Sequence, residues 1–219
     1  MKDLFPPDPD GLLELHNRKY EVRAWRMSND KLLLRGAVRD DKPSGLYLEQ
    51  DAEPLTIHHM IVDLEVGFPS MDIKRVEVVF ESHPHQQCTG ITNTYQSLVG
   101  VSIARGFTNK VKELFGGPRG CTHIGALLNA MAPVAIQCAW SMRVAAMRET
   151  GDTSEIRPRT PEEFDKALKF NINTCHVWEE DGETVNFVRN GGDLGPPLPV
   201  QKRLDELGLG EEAWKKMRG

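Results

Sequence analysis

The sequence Gly116-Gly117-Pro118-Arg119-Gly120-Cys121-Thr122-His123 ends one helical pattern and leads into a long apolar run, residues 124–147. Three glycines and a proline within five residues cannot continue the preceding helix, so this stretch is a shaped loop. Thr122 is an acceptable N-cap for the helix that follows. A helix that is apolar on nearly all sides lies in a core or is shared with a second subunit. Pro133 at its centre predicts a kink or a division into two helices.

Two β-hairpins are predicted ahead of this loop. Residues 18–40 alternate apolar and charged side chains around a turn at residues 28–31. The second hairpin, residues 57–83, has one apolar and one polar face because side chains alternate with a period of two. Its apolar face ends at His58 and contains Met60, Val62, Leu64, Val66, Val76, Val78 and Phe80.

The polar face of the second hairpin brings five side chains close together: His59, Asp63, Glu65, Glu77 and Glu81. One explanation is a solvated face of cross-strand charge pairs, such as Asp63 or Glu65 against Arg75. The other is the wall of an active site, in which His59 is a base oriented by Asp63. The first arrangement is common, and the second gains support because four of the seven histidines lie at the same end of this hairpin: His58, His59, His83 and His85.

The segment that leaves this hairpin places His83 and His85 on either side of Pro84. Proline ends the strand pairing, so both histidines lie on a turn at the rim of the sheet. We expect His83 or His85 to be the acid that complements His59.

Several of these side chains also resemble a partial metal site. His83, His85 and Cys88 lie within six residues, and Cys121 and His123 would complete a zinc-like ligand set. The spacing fits no standard zinc module. We therefore expect no bound metal and no cofactor, and a metal-dependent enzyme that uses this His/Cys cluster remains an alternative.

The loop at residues 116–123 is the predicted substrate-binding site. A helix N-terminus offers unpaired N–H groups and a partial positive charge, and Arg119 adds a fixed one. We expect Arg119 and the backbone of Gly120 and Cys121 to hold a phenolate, enolate or carboxylate. Tyr95 and His123 are assigned to the same substrate-binding set. Cys121 is expected to be a bystander, with a covalent nucleophile as the alternative.

The remaining segments are mostly helical. Helices are predicted from residue 91 to 103 and from 108 to 115, and Thr160-Pro161 predicts another helix start. Residues 174–178 and 183–188 resemble a hairpin, and the charged tail after residue 200 resembles two short helices. We expect a core domain of residues 1–150 and a C-terminal extension of residues 151–219.

Composition excludes several classes of protein. The chain has 219 residues and a net charge of −5, with a pI near 5.8, which argues against a nucleic-acid partner. The N-terminus lacks the pattern of a signal peptide, and the four cysteines are widely spaced, as in cytoplasmic proteins. Polar residues and Pro133 within residues 124–147 argue against a membrane span.

Gly-Cys-Thr-His at residues 120–123, before an apolar helix, resembles the bacterial family known as domain of unknown function 2889. Asp63, Cys88 and the Leu98-Val99-Gly100 sequence add to the resemblance, which covers most of residues 20–147. The family label names no reaction. Its members are associated with bacteria that degrade aromatic compounds and steroids, so the resemblance implies an auxiliary catabolic enzyme.

The predicted fold is α+β, with an antiparallel sheet of hairpins packed on one long apolar helix and shorter flanking helices. No dinucleotide-binding, P-loop or nucleophile-elbow motif is present in the sequence, which leaves proton transfer as the chemistry that the residues support. We expect a cytoplasmic, homodimeric, cofactor-independent lyase or isomerase that acts on a small aromatic compound. A non-catalytic dimeric binding or assembly module is the alternative from another class.

Overall fold

Four antiparallel strands form one sheet in the order β1-β2-β3-β4. The strands are β1 (Asn17–Ser28), β2 (Lys31–Lys42), β3 (Leu55–Gly67) and β4 (Ile73–Ser82). The computed structural model describes residues 5–151, 168 and 171–217. It confirms both predicted hairpins, and with the helices described below it confirms the α+β fold.

One face of the sheet is the core. The alternation of burial along the strands follows the predicted apolar pattern, because a period of two places every second side chain on the same face. The fully or almost fully buried apolar side chains of β2, β3 and β4 are Leu32, Leu34, Val38, Met60, Val62, Leu64, Val66, Ile73, Val76 and Val78.

The opposite face carries charge pairs between neighbouring strands. Arg35 lies opposite Asp63 in the register and binds both of its carboxylate oxygens, at 2.7 and 2.6 Å. Arg75 lies opposite Glu65, at 3.3 Å, and also binds Glu77 on its own strand, at 2.6 Å. Charge pairs therefore account for Asp63 and Glu65 across strands and for Glu77 along β4.

Helices follow the sheet in the chain. A 3-10 helix spans Gln86–Leu98, α1 spans Phe107–Phe115, a second 3-10 helix spans Gly117–Arg119, and α2 spans Thr122–Thr150. The helix predicted from residue 91 is thus of the 3-10 type and ends sooner. Its buried residues Tyr95 and Leu98 are three positions apart, which is the repeat of a 3-10 helix.

Helix α2 runs through Pro133 as one helix, so of the two expected effects, a kink or a division, the division does not occur. Proline removes one backbone hydrogen bond there, but the helix has buried side chains before and after it, including Met131 and Ala135. By length and composition alone α2 could cross a membrane, a test that core helices of soluble proteins also pass.

The chain divides into two compact units, Met1–Ala135 and Ile136–Gly219. Within the second unit the structure describes a 3-10 helix at His176–Trp178 and the helices α3 (Glu183–Arg189), α4 (Leu198–Glu206) and α5 (Glu211–Met217). The two short terminal helices are confirmed. The helix start predicted at Thr160 lies outside the described residues.

The hairpin predicted across residues 174–188 is wrong. Val185 and Val188 are both buried, three positions apart, on one face of α3. Gly182 lies between the two predicted strands and occupies the N-cap position of α3. The helical period therefore overrides the β-propensity of the valines.

Gly36 allows α2 to lie close to the sheet. A Cβ atom at this position would be 2.7 Å from the sulfur of Met131 and 3.0 Å from a methyl carbon of Leu127. Both contacts come from the first turns of α2, where His123 also lies. The absence of a side chain at Gly36 thus helps to place His123 over the sheet.

Replacing Gly36 with Val should destabilise the protein by about 1–3 kcal/mol, because the added methyl groups overpack the contact with α2. Gly125→Ala is the matched control, since nothing lies within 4 Å of its added Cβ. It should be neutral or stabilising by up to about 1 kcal/mol, as alanine favours a helix over glycine. Urea unfolding of both variants checks this, and equal stability of the two would contradict the close approach.

Candidate active site

Asp40 continues the apolar face of β2 and is only 1% exposed. It lies in phase with Leu34 and Val38, so the alternation of the strand turns its carboxylate toward the core. In the register of the sheet it stands between Arg18 of β1 and His58 of β3. Three adjacent strands therefore place an arginine, an aspartate and a histidine in one row.

Arg18 binds Asp40 through both carboxylate oxygens, at 2.5 and 2.7 Å. This two-point contact is the strongest geometry for an arginine and a carboxylate. Burial alone raises the pKa of Asp40, but the hydrogen bonds and charge of Arg18, with smaller contributions from His123 and His16, lower it to about 2. Asp40 is therefore a buried, ionised carboxylate at neutral pH.

Three imidazoles surround this carboxylate. His58 Nδ1 and His123 Nε2 each lie 3.1 Å from Asp40 Oδ2, and His16 Nε2 lies 3.3 Å from Oδ1. The rings of His58 and His123 are stacked, with centroids 4.0 Å apart. We call Arg18, Asp40, His58, His123 and His16 the Asp40 cluster.

The start of α2 fixes the position of His123. The N–H of Cys121 donates a hydrogen bond to the hydroxyl of Tyr95, at 2.9 Å, and its carbonyl accepts the N–H of Gly125. Tyr95 is fully buried and packs on Phe115, with ring centroids 4.6 Å apart. Burial raises the pKa of Tyr95 to about 12, so it remains a neutral phenol. Cys121, rather than the predicted Thr122, occupies the capping position.

His123 links the cluster to Cys121. Its Nε2 faces Asp40, and its Nδ1 lies 3.6 Å from the sulfur of Cys121. Burial, followed by the nearby His58 and Arg18, lowers the pKa of His123, and Asp40 only partly offsets this effect. His123 is therefore neutral at neutral pH.

The structure does not bring the predicted pair of His59 and Asp63 together. Four positions along one strand correspond to about 13 Å, which is too far for a hydrogen bond. Asp63 is instead held by Arg35, and His59 lies opposite Arg39 and Ser82. It is His58, the neighbour of His59, that turns toward a carboxylate.

The other predicted site residues have structural contacts. His83 Nδ1 lies 2.9 Å from the carbonyl oxygen of His85 on the turn after β4. Arg119 donates to the carbonyl of Lys112 at the end of α1, at 3.3 Å. A Cβ at Gly120 would be 2.6 Å from the Cβ of Phe115, so the loop needs glycine there.

The predicted role of the Cys121 backbone needs correction. Its N–H already donates to Tyr95 and is not available to bind an anionic group of a substrate. Tyr95 is likewise a support of this loop, since its hydroxyl accepts that bond and its ring is fully buried.

One group of side chains among the described residues has the spacing of metal ligands. Asp40, His58 and His123 each offer one ligand atom, and these atoms lie within 4.8 Å of one another. Of the His/Cys cluster considered from the sequence, this group contains only His123.

The sequence carried a signal for the residues that were missed. Asp40 interrupts an apolar stripe in β2, and Arg18 has the matching phase in β1. A charged residue on the core face of a strand is rarely buried without a partner. His58 was already placed at the end of the apolar face of β3, which is the face that contains Asp40.

A family model described as a protein of unknown function, DUF2889, matches residues 16–137. The chain belongs to this family. The DUF2889 match begins at His16 and includes every member of the Asp40 cluster. Comparison with curated proteins and with solved structures found no match.

Asp40→Asn should flatten the acid dependence of stability. The pKa of Asp40 lies near 3.8 in the unfolded chain and about 2 in the folded protein, so the ionised carboxylate stabilises the fold above pH 3.8. The wild type should lose about 2 kcal/mol of this contribution as the pH falls from about 4 to 2.

The asparagine variant should be less stable than the wild type at neutral pH, because Arg18 loses its partner. The difference between the two proteins should shrink toward pH 2, and urea unfolding across this range measures it. A constant difference would show that Asp40 does not fold as the anion.

Proposed function

We propose that this protein is a cofactor-independent acid–base enzyme, with His58 as the proton acceptor. The observation that carries the proposal is the contact of His58 Nδ1 with a buried, ionised Asp40 at 3.1 Å. A proton on Nδ1 satisfies this contact and leaves Nε2 with a lone pair. The side chain of His58 is 21% exposed, whereas that of Asp40 is 1% exposed, so the imidazole is the group that a small molecule can reach.

The electrostatics of the Asp40 cluster support this role. When His58 takes a proton it becomes a cation, and the adjacent carboxylate stabilises this cation in a site with little water. Arg18 keeps the carboxylate ionised and fixes its plane by the two-point contact. Histidine paired with a carboxylate in this way is a common arrangement for a general base.

The proposed reaction is a lyase reaction that cleaves a carbon–carbon bond. His58 Nε2 removes the proton of a substrate hydroxyl group, the C–O bond becomes a carbonyl, and the neighbouring carbon–carbon bond breaks. The electron pair stays on the released carbon, where a conjugated carbonyl group or aromatic ring delocalises it. The protonated His58 then returns the proton to that carbon. The step is balanced and needs neither oxidant nor cofactor.

The substrate class is proposed from the family resemblance, as a small aromatic compound formed in bacterial catabolism. Aromatic rings supply the delocalisation that the reaction needs. Arg119 and the N–H of Gly120 remain the proposed contacts for an anionic substituent of such a compound. A cytoplasmic location and a homodimeric state are part of the same proposal.

His58→Gln should lower the turnover of a responsive substrate by about 10²–10⁴-fold, the usual contribution of a general base. Glutamine is similar in length and can donate a hydrogen bond to Asp40, but it cannot accept a proton at neutral pH. The assay incubates the chelator-treated protein with a panel of hydroxylated aromatic dimers and acids and follows products by mass spectrometry.

His59→Gln is the matched comparison, because it alters the adjacent residue on the opposite face of β3. It should keep turnover within a few-fold of the wild type, and thermal unfolding should confirm that both variants are folded. If the folded His59→Gln protein loses more activity than His58→Gln, the base has been placed on the wrong face of the sheet.

A further inference from the structure

We infer that Asp40, His58 and His123 form a binding site for one divalent ion of the zinc class. The three ligand atoms are Asp40 Oδ2, His58 Nδ1 and His123 Nε2, and both nitrogens lie 3.1 Å from the oxygen. All of the ligand atoms lie within 4.8 Å of one another. The site differs from the His/Cys set considered from the sequence, as it contains no sulfur ligand.

The spacing suits a tetrahedral ion. Zinc lies about 2.0–2.1 Å from imidazole nitrogen and carboxylate oxygen, which places neighbouring tetrahedral ligand atoms about 3.3 Å apart. The nitrogen-to-oxygen separations of the cluster are already close to this value. Two imidazoles and one carboxylate are a common zinc ligand set, with a fourth position for water or a further ligand. His16 Nε2 lies 3.3 Å from the other oxygen of Asp40 and is not a member of this three-ligand group.

The surroundings contain the partners that orient metal ligands. Arg18 donates one hydrogen bond to each carboxylate oxygen of Asp40, which fixes the orientation of the carboxylate. The sulfur of Cys121 lies 3.6 Å from His123 Nδ1, where it can accept the proton that this nitrogen carries once Nε2 binds an ion. The positive charge of Arg18 opposes a cation, so we expect reversible rather than permanent binding.

An ion at this site would switch off the proposed base. Binding to His58 Nδ1 moves the ring proton to Nε2, which can then no longer accept a proton from a substrate. This consequence rests on the proposed function, whereas the binding itself does not. The ion is thus an inhibitor, because the metal-bound site and the metal-free site that accepts a proton use the same side chains and exclude each other.

The test of binding uses zinc chloride with the full chain and no substrate. Calorimetry or equilibrium dialysis should give one ion per chain, and His58→Gln and His123→Gln should each weaken binding at least about ten-fold. His59→Gln and the double change His83→Gln/His85→Gln should bind as the wild type does. Cobalt(II) in place of zinc should give the intense visible absorption of a tetrahedral site, and this absorption should disappear in His123→Gln.

Equal binding by the wild type, His58→Gln and His123→Gln would overturn the inference, and so would a loss of binding in the His83/His85 variant alone. Activity is measured separately, in chelator and then with added zinc. Turnover in chelator that falls as zinc occupies the site supports both proposals. Turnover that requires zinc would overturn the metal-free reaction and the inhibitory role while leaving the binding site intact. Zinc bound by the cluster without any effect on turnover would overturn the inhibitory role alone.

Discussion

The ion pair between Arg18 and Asp40 is the interaction on which the candidate site depends. A carboxylate that is 1% exposed is costly to bury as an anion unless charged and hydrogen-bonded partners surround it. Arg18 supplies a two-point contact from the edge strand, and the imidazoles supply the rest. Without this pair Asp40 would be protonated or exposed, and His58 and His123 would lose the acceptor that orients both rings.

The rest of the fold holds this pair in place. The antiparallel register fixes Arg18, Asp40 and His58 in one row across three strands. Helix α2 places His123 beside Asp40. Gly36 permits close packing of α2 on the sheet, and the hydroxyl of Tyr95 accepts a hydrogen bond from the N–H of Cys121. A buried tyrosine and a glycine, neither of which performs chemistry, therefore determine where an imidazole lies.

Much of this architecture could be predicted from the sequence. Period-two alternation predicted both hairpins and the buried face of the sheet, and the long apolar run predicted α2. The helix that contains Val185 and Val188 could not be predicted in this way. Its seven residues are too few for the apolar pattern to distinguish a helix from a strand. The 3-10 character of Gln86–Leu98 depends on packing of Tyr95 and Leu98 that no local propensity encodes.

The site residues expected from the sequence and the Asp40 cluster lie on opposite faces of the sheet. The density of histidines at one end of the hairpin favours His59 with Asp63, but both lie on the outward face, where charge pairs are ordinary. The same alternation rule places His58 and Asp40 on the core face, where a charge needs an explanation. For loop residues 120–123, only the tertiary structure shows that the carbonyl of Cys121 accepts the first hydrogen bond of α2 and that His123 contacts Asp40.

The most direct test of this account is the position of the ring protons of His58 and His123. Long-range nitrogen–hydrogen NMR spectra of the metal-free protein, at a pH where both rings are neutral, report which nitrogen is protonated. An ionised Asp40 that orients both rings requires the proton of His58 on Nδ1 and that of His123 on Nε2, and Asp40→Asn should disturb both signals. A proton on Nε2 of His58, or signals that Asp40→Asn leaves unchanged, would contradict the central role of the Arg18–Asp40 pair.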